Sequence, residues 1–338
     1  MIMPAGHLQS VGAMKSARLL LARTLMTLLF CAVAGHSVHA QTWPTRPISL
    51  IVGFGAGSGI DIVGRTFAEF ASKELGQPII VENRAGGGGV VAAIGVAKAS
   101  PDGYTILLQA VGPIILRPIM DPSVGYDSVK DFSPIGLLAE TPNVILGGSK
   151  FSARSVQELV DWAKKNPGGL TIGHPGLGTM GHLAAALLAS HAGITGSYIA
   201  YRSSAQMLPD LLGGQIDIGS AAYTPQLKAA HIFAVMTAEP VDFLPGVPSM
   251  REAGFPGVYA STWWALFGPP NLPPDIVAKL NAVMNAFLRN DDGQKRLALL
   301  GVRTLGGSPE QLTKKMAEDK VLWSKVIKDA NIKMDEQQ

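Results

Sequence analysis

Cysteine is almost missing: Cys31 is the single thiol in 338 residues, and it falls within the first forty. Beyond residue 40 there is none, which excludes a disulfide framework, a cysteine metal site and a cysteine nucleophile in that part of the chain. An excess of one charge is missing too. Residues 1–40 hold three of the 28 Lys and Arg and none of the 25 Asp and Glu, so the remainder carries 25 of each and is formally neutral. The sequence pI near 8.9 therefore reflects the N-terminal segment and gives no footing for nucleic-acid binding. After residue 40 no apolar run reaches the eighteen or so residues that a membrane-spanning helix needs. There is no fixed-period repeat, and low complexity is confined to Gly86–Gly89. His174 and His191 have neither a histidine partner at i, i+4 nor a cluster of acidic neighbours, so no metal site is read.

What is present begins with an export signal. Lys15, Arg18 and Arg23 precede the apolar run Leu25–Ala34, and Val38-His39-Ala40 offers small residues for cleavage after Ala40. Met14 opens a complete signal of its own and competes with Met1 as the start. Phe30 precedes Cys31 where a lipoprotein signal needs a small residue. The full chain is 47% hydrophobic and 16% charged, a balance that buries large cores and does not read as disorder.

From Trp43 onward, short β-branched runs alternate with amphipathic stretches. Strands are expected at Ile48–Phe54, Pro78–Glu82 and Tyr104–Gln109, with helices at Asp61–Leu75 and Gly89–Ala99 between them. This βαβαβ rhythm implies a parallel sheet covered by helices on both faces. A second set starts with a helix at Ser155–Asn166, opened by a serine with Glu158 three residues on. It continues with strands at Leu170–Gly173, Ser197–Ala200 and Ile216–Ser220, and helices from Met180 to His191 and Ala205 to Leu212. Another strand is expected at Trp263–Gly268. Helices are then expected from Pro274, where proline is at home in a first turn, and from Pro309 to Ala330. Two α/β lobes joined by extended segments, at Leu137–Gly148 and Tyr259–Pro270, imply a cleft that closes by hinge bending.

The stretch "LIVGFGAGSGIDIVGR", Leu50–Arg65, sets glycines at 53, 55, 57 and 59 between a strand and a helix start. It is not a dinucleotide loop, because Ser58, Ile60 and Ile62 stand where the third glycine of G-x-G-x-x-G is required. It is not a phosphate loop, because it has no lysine, and not a nucleophile elbow, because Ser58 is flanked two away by Ala56 and Ile60. The general physics remains: glycines let backbone N–H groups approach a ligand, and a helix start presents a positive dipole end. Such a loop suits a carboxylate without an arginine. Asp61 is expected to cap helix N–H groups. Arg84 reads as a salt-bridged loop residue, the methionines as core filler, and at most one of Trp263 and Trp264 faces the cleft, since adjacent strand residues point to opposite sides.

The pieces "WPTRPISLIVGFGAGSGIDIVGR", "GQPIIVENRAGGGG", "SPDGYTILL", "VKDFSPIGLLAETPNVIL", "GLGTMGH", "YRSSAQMLPDLLGGQIDIG" and "LPGVPSMREAGFPG" occur in order over essentially the whole chain after the signal. With them the sequence resembles the substrate-binding proteins of tripartite tricarboxylate transporters, the Bug receptors. The resemblance implies a type II periplasmic binding protein of class α/β, with two α/β lobes, a ligand cleft between them and two hinge crossings. Lobe 1 would comprise 41–141 and 263–338, and lobe 2 142–262. It implies a periplasmic, non-enzymatic, monomeric receptor without cofactor or metal. Such a receptor captures a small mono-, di- or tricarboxylate, aliphatic or aromatic, and hands it to one large and one small integral membrane subunit.

By the same resemblance Phe54, Gly55, Ala56, Gly57 and Ser58 hold one carboxylate through backbone groups and water, with Asp61 closing the motif. Ala110 and Val111 line the floor. Thr179 offers a hydroxyl, His182 takes the family's histidine position, and the turn Tyr201, Arg202, Ser203, Ser204 faces the cleft. Tyr223 is the candidate for ligand selection. The chain departs from the pattern at Gly53 (usually proline), Ser58 (usually glycine), Met180 (commonly a small hydroxyl residue) and Arg202-Ser203 (usually lysine-glycine). It is also about three residues short in "GSAAYTPQLKAAH". Two other functions are compatible with parts of the same pattern. One is a ligand-sensing co-receptor for a sensor kinase, which shares the binding chemistry. The other is an exported hydrolase using Ser58 or Thr179 with His182, for which no triad order is recognisable.

Overall fold

The structure is a computed structural model and describes residues 43–329 and 332. The expected signal peptide, with its alternative start at Met14 and cleavage site after Ala40, lies outside these residues. From Pro44 onward the chain forms one compact unit.

The first set is β1 (Ile48–Val52), α1 (Gly59–Leu75), β2 (Ile79–Asn83), α2 (Val90–Ala97) and β3 (Thr105–Ala110). Leu50, Ile51 and Val52 of β1 and Ile106, Leu107 and Leu108 of β3 are fully buried, the mark of strands covered on both faces. β2, β1 and β3 are parallel, with Leu50 opposite Val81 on one side and Ile106 on the other. α1 begins two residues before the expected Asp61, so Gly59 and Ile60 form its first turn. α2 starts at Val90 because Gly87, Gly88 and Gly89 all have φ between 56° and 102°, backbone that other residues adopt only under strain.

A π-helical segment at Gly112–Leu116 and the short α3 (Arg117–Met120), both unanticipated, lead to the long β4 (Ser133–Gly147). The second set follows: α4 (Val156–Lys165), β5 (Leu170–His174), α5 (Met180–Ala192), β6 (Gly196–Ala200), α6 (Ser204–Gly213), β7 (Ile218–Ala222) and β8 (His231–Val235). Ser155 caps α4 by accepting the Glu158 N–H. The Glu158 carboxylate reaches back to the N–H of Arg154 at 2.8 Å, one residue before the serine. The chain returns through β9 (Ser261–Gly268) and ends in α7 (Pro274–Arg289), α8 (Asp291–Leu299), the two-residue β10 (Arg303–Thr304) and α9 (Pro309–Asp329). α8 was not foreseen; Asn290 caps it by accepting the Gly293 N–H at 3.0 Å.

The strands form a mixed sheet in the order β2-β1-β3-β9-β4-β7-β5-β6, with β8 and β10 also on β4. The parallel expectation holds for β2-β1-β3 and β7-β5-β6; β9 and β4 run antiparallel between them. β4 joins the two α/β halves. Residues Ser133–Pro142 pair with β9, and Asn143–Gly147 pair with β7. Where the strands cross over, the Asn143 N–H donates to Ala260 O at 2.9 Å and the Thr262 hydroxyl donates to Asn143 Oδ1 at 2.7 Å. The two expected crossings thus fall in β4 and β9 and are tied to each other. Trp263 points away from the cleft, and its indole N–H donates to buried Asp319 of α9 at 2.6 Å.

Candidate functional site

The loop after β1, the start of α1, the end of β3 and the strand β9, together with α5, α6 and β7, line a cavity of about 50 Å³. By the space one water requires, that holds a handful of water molecules, or a compact ligand of a few heavy atoms. Its apolar wall is Phe54, Pro113, Pro175 and Trp264, with Ala110, Ala221 and Ala222 between them. No Lys, Arg, Asp, Glu or His side chain lines it.

Its positive character comes from backbone. Gly59 and Ile60 open α1, Met180 and Gly181 open α5, and Ser204 opens α6, and all of them line the cavity. The first N–H groups of a helix have no intrahelical acceptor. Each helix end also carries roughly half a unit of positive charge. Three such ends around one small space amount to more than a unit charge, enough to hold a carboxylate without a cationic side chain.

The caps are built so that these N–H groups stay available. Thr179 Oγ1 accepts the His182 N–H at 3.3 Å and donates to Gly176 O at 2.7 Å. Ser203 Oγ accepts the Gln206 N–H at 3.3 Å, which leaves its proton for the cavity. In both helices the cap takes the third N–H; Met180 and Gly181 of α5 and Ser204 of α6 line the cavity ahead of it. Ser58 differs: its hydroxyl donates to Gly55 O at 2.7 Å. Asp61, expected to cap helix N–H groups, instead reaches back to the loop, accepting the Gly57 N–H at 2.9 Å and the Asn83 amide at 2.8 Å. Burial alone raises the Asp61 pKa, but the Arg65, Gly57 and Asn83 bonds together with the Arg65 charge outweigh it, and the pKa is lowered.

Among the residues expected from sequence, Phe54, Ser58, Ala110, Thr179, Ser203 and Ser204 line this cavity. Gly55 lies behind it, with its Cα opposite Ser203: a Cβ there would sit 3.7 Å from Ser203 Oγ. Gly57 turns its N–H to Asp61 with φ 79°, and Ala56 is the exposed tip. Val111 is fully buried. His182 is buried beneath the α5 start, its ring 4.7 Å from that of His174. Its Nδ1 accepts the Gly178 N–H, so the proton sits on Nε2. Burial, with His174 and Arg117 nearby, holds its pKa down near 3. Tyr201 and Arg202 line a neighbouring, more open cavity. The Tyr201 hydroxyl donates to Asp210 at 2.7 Å, and burial and that carboxylate push its pKa up to about 12. Tyr223 packs into the core of the second half, its ring 5.1 Å from Phe243 and its carbonyl near Thr141.

The structure adds residues that the sequence did not single out. Pro113, Pro175, Gly181 and Thr262 line the cavity, and Trp264 is the tryptophan of the pair that faces it. Gln109, fully buried, explains the glycine at 53: a Cβ on Gly53 would lie 2.4 Å from Gln109 Nε2, which donates to Gly89 O. A polar residue in the apolar strand "TILLQA" was the available signal. Arg84 pairs with Glu82 at 2.8 Å. Among the described residues no group of three or more His, Cys, Asp or Glu could hold a metal.

Residues 63–332 match the family described as Tripartite tricarboxylate transporter family receptor. The chain belongs to that family. BugT of Bordetella pertussis (strain Tohama I) is 31% identical to this receptor over 314 residues, 90% of this chain and 96% of BugT. A structure of an R. palustris protein with adipate superposes with TM-score 0.83 at 33% identity, covering 86% of this chain and 98% of that one. MatC from Rhodopseudomonas palustris with bound malate gives TM-score 0.81 at 30% identity, covering 84% and 100%. The receptor therefore has the α/β fold of periplasmic solute-binding proteins. No helix among its described residues is long and apolar enough to cross a membrane.

Proposed function

We propose that this receptor is exported to the periplasm, captures a small carboxylate in the helix-ringed cavity, and delivers it to the membrane subunits of a tripartite tricarboxylate-type transporter. The observation that carries the proposal is the convergence of the α1, α5 and α6 starts on a small, largely apolar-walled space with no charged side chain. An anion there meets fixed N–H donors that need no reorganisation, and the apolar wall excludes competing water. The bound acids of the two R. palustris relatives accord with this chemistry. The lobes would be 41–141 with 263–338, and 142–262; the change of β4 partners at Pro142–Asn143 supports that division. Closure brings the two halves together around the ligand, and the closed form is what the transporter recognises. Nothing in the site calls for catalysis. The Ser58 and Thr179 hydroxyls both donate to carbonyls, and neutral His182 is spent on a backbone N–H. The test is a thermal shift on receptor residues 41–338, unfolded and refolded to strip carried-over ligand, against aliphatic, hydroxy- and aromatic carboxylates. A saturable rise for one class is expected, because a ligand bound only by the native state must stabilise it. A folded protein that responds to none would refute the proposal.

A further inference from the structure

Gly112 and Pro113 stand in the wall of the helix-ringed cavity, and the π-helical segment they open, Gly112–Leu116, is buried throughout. The segment also touches the second half. Gly112 faces the backbone of Gly178 and Thr179, and the stem of Arg117, one residue past the segment, lies against Gly178. A small shift here therefore alters both the cavity wall and the fit between the halves. Backbone of this kind is rare, and its register is visible in the Arg117 N–H, which donates to Gly112 O. The next N–H in that register would come from residue 118 and go to Pro113 O; in an α-helical register the same N–H would go to Ile114 O. Residue 118 is proline and has no N–H.

The loop between α3 and β4 supplies what the proline withholds. The Tyr126 hydroxyl donates to Pro113 O and the Ser128 hydroxyl donates to Ile114 O. Asp127, between them, is fixed by its own turn: its Oδ1 accepts the N–H groups of Val129 at 2.8 Å and Lys130 at 3.0 Å, and its N–H donates to Asp131 at 2.7 Å. The Tyr126 ring is buried edge-on against Phe132, with centroids 5.5 Å apart. Burial pushes the phenol pKa up, so the hydroxyl keeps its proton and remains a donor. We infer that Tyr126 and Ser128 are positioning residues for ligand capture. Neither lines the cavity. Their hydroxyls replace the backbone donor missing at Pro118 and hold Gly112 and Pro113 where the cavity and the start of α5 require them. Without them the two carbonyls are unmet, and the segment must move to find other donors. The inference rests on the reading of the cavity as the carboxylate site.

Titration calorimetry and thermal melts on ligand-stripped receptor decide the matter, with wild type, Tyr126→Phe, Ser128→Ala and Trp263→Phe each titrated with propionate, malate, adipate and benzoate. Tyr126→Phe keeps the ring and its contact with Phe132, so it is expected to fold; Ser128 is only half-buried, and its variant carries the test if the other does not. Each should weaken the acid that wild type binds best by about three- to tenfold, the order of one lost hydrogen bond. Trp263→Phe loses a buried bond on the side away from the cleft; its melting temperature should fall while its affinity stays within about twofold of wild type. Pro118→Ala added to Tyr126→Phe returns the N–H that the segment's register directs to Pro113 O, and should recover most of the lost affinity. If Tyr126→Phe and Ser128→Ala melt earlier but bind no worse than Trp263→Phe, both hydroxyls are structural only; that result overturns the inference and leaves the cavity reading intact. A loss of affinity that Pro118→Ala does not reduce overturns it as well. Wild type that binds none of the acids would bring down the cavity reading and the inference with it.

Discussion

Gly112 follows β3 and faces the start of α5 across the cleft. A Cβ placed on it would lie 2.9 Å from Thr179 Cα and 3.0 Å from Gly178 O. Both are backbone atoms and cannot swing aside. Gly112 has no positive φ, so alanine fits its own backbone and the clash exists only while the halves are together. Carbon contacts are comfortable at about 3.5–4.0 Å, so Gly112→Ala forces the cleft open by about half an ångström or more. Overpacking of this kind costs about 1–3 kcal/mol, which falls on the closed state alone and weakens binding about 5- to 150-fold. Calorimetry or tryptophan fluorescence, with Trp264 in the cavity wall as reporter, measures the affinity; a melt of the ligand-free protein measures stability. The expected result is a weaker Kd beside a ligand-free Tm within a few degrees of wild type. An unchanged Kd would refute the idea that ligand is held by apposition of the Gly112 and Thr179 backbones.

His182 makes stability depend on acidity. Its pKa is near 3 when folded and about 6.5 in an unfolded chain, so below about pH 6.5 only the unfolded chain takes up its proton. The fold should lose up to about 1.4 kcal/mol per pH unit from this group as pH falls from 6.5 toward 3, and His182→Gln should flatten that part of a denaturant-stability profile. Trp263→Phe removes the donor to Asp319, leaving that buried carboxylate with Lys315 at 2.7 Å; urea unfolding should show a loss of about 1–3 kcal/mol with ligand affinity unchanged. Gly95 lies inside α2 without positive φ, and a Cβ there meets nothing closer than Arg84 Nη1 at 3.5 Å. Gly95→Ala should therefore stabilise by about 0.5–1 kcal/mol in the same assay.

Much of the fold was legible before the structure. Ser155 stands where a helix was expected to begin, and it caps that helix. Alternation along β9 correctly limited the cleft to one tryptophan of the pair. These signals are local: a cap spans three residues and a strand's two faces alternate residue by residue, so the chain within one turn or strand holds the information. The ordered motifs went further and identified the family, which carries the α/β fold with it.

The site was only partly legible, and the omissions have a common cause. Sequence showed a glycine loop with open N–H groups; it did not show that Asp61 takes the one on Gly57, or that Gly59 and Ile60 line the cavity. It offered Tyr223 for selection, while the chain turned that ring toward Phe243 and placed Gly301 against it. Arg117 drew no notice in "ILRPIM", because the residues it lines a cavity with, Gly176 and Arg202, are tens of residues away. Local pattern thus determined that helices begin at Val156, Met180, Pro274 and Pro309 and which strand face is apolar. Which starts converge on one cavity was decided by β4 and β9 crossing between the two halves, because contacts between distant segments follow from sheet order and register, and no short stretch of sequence encodes those.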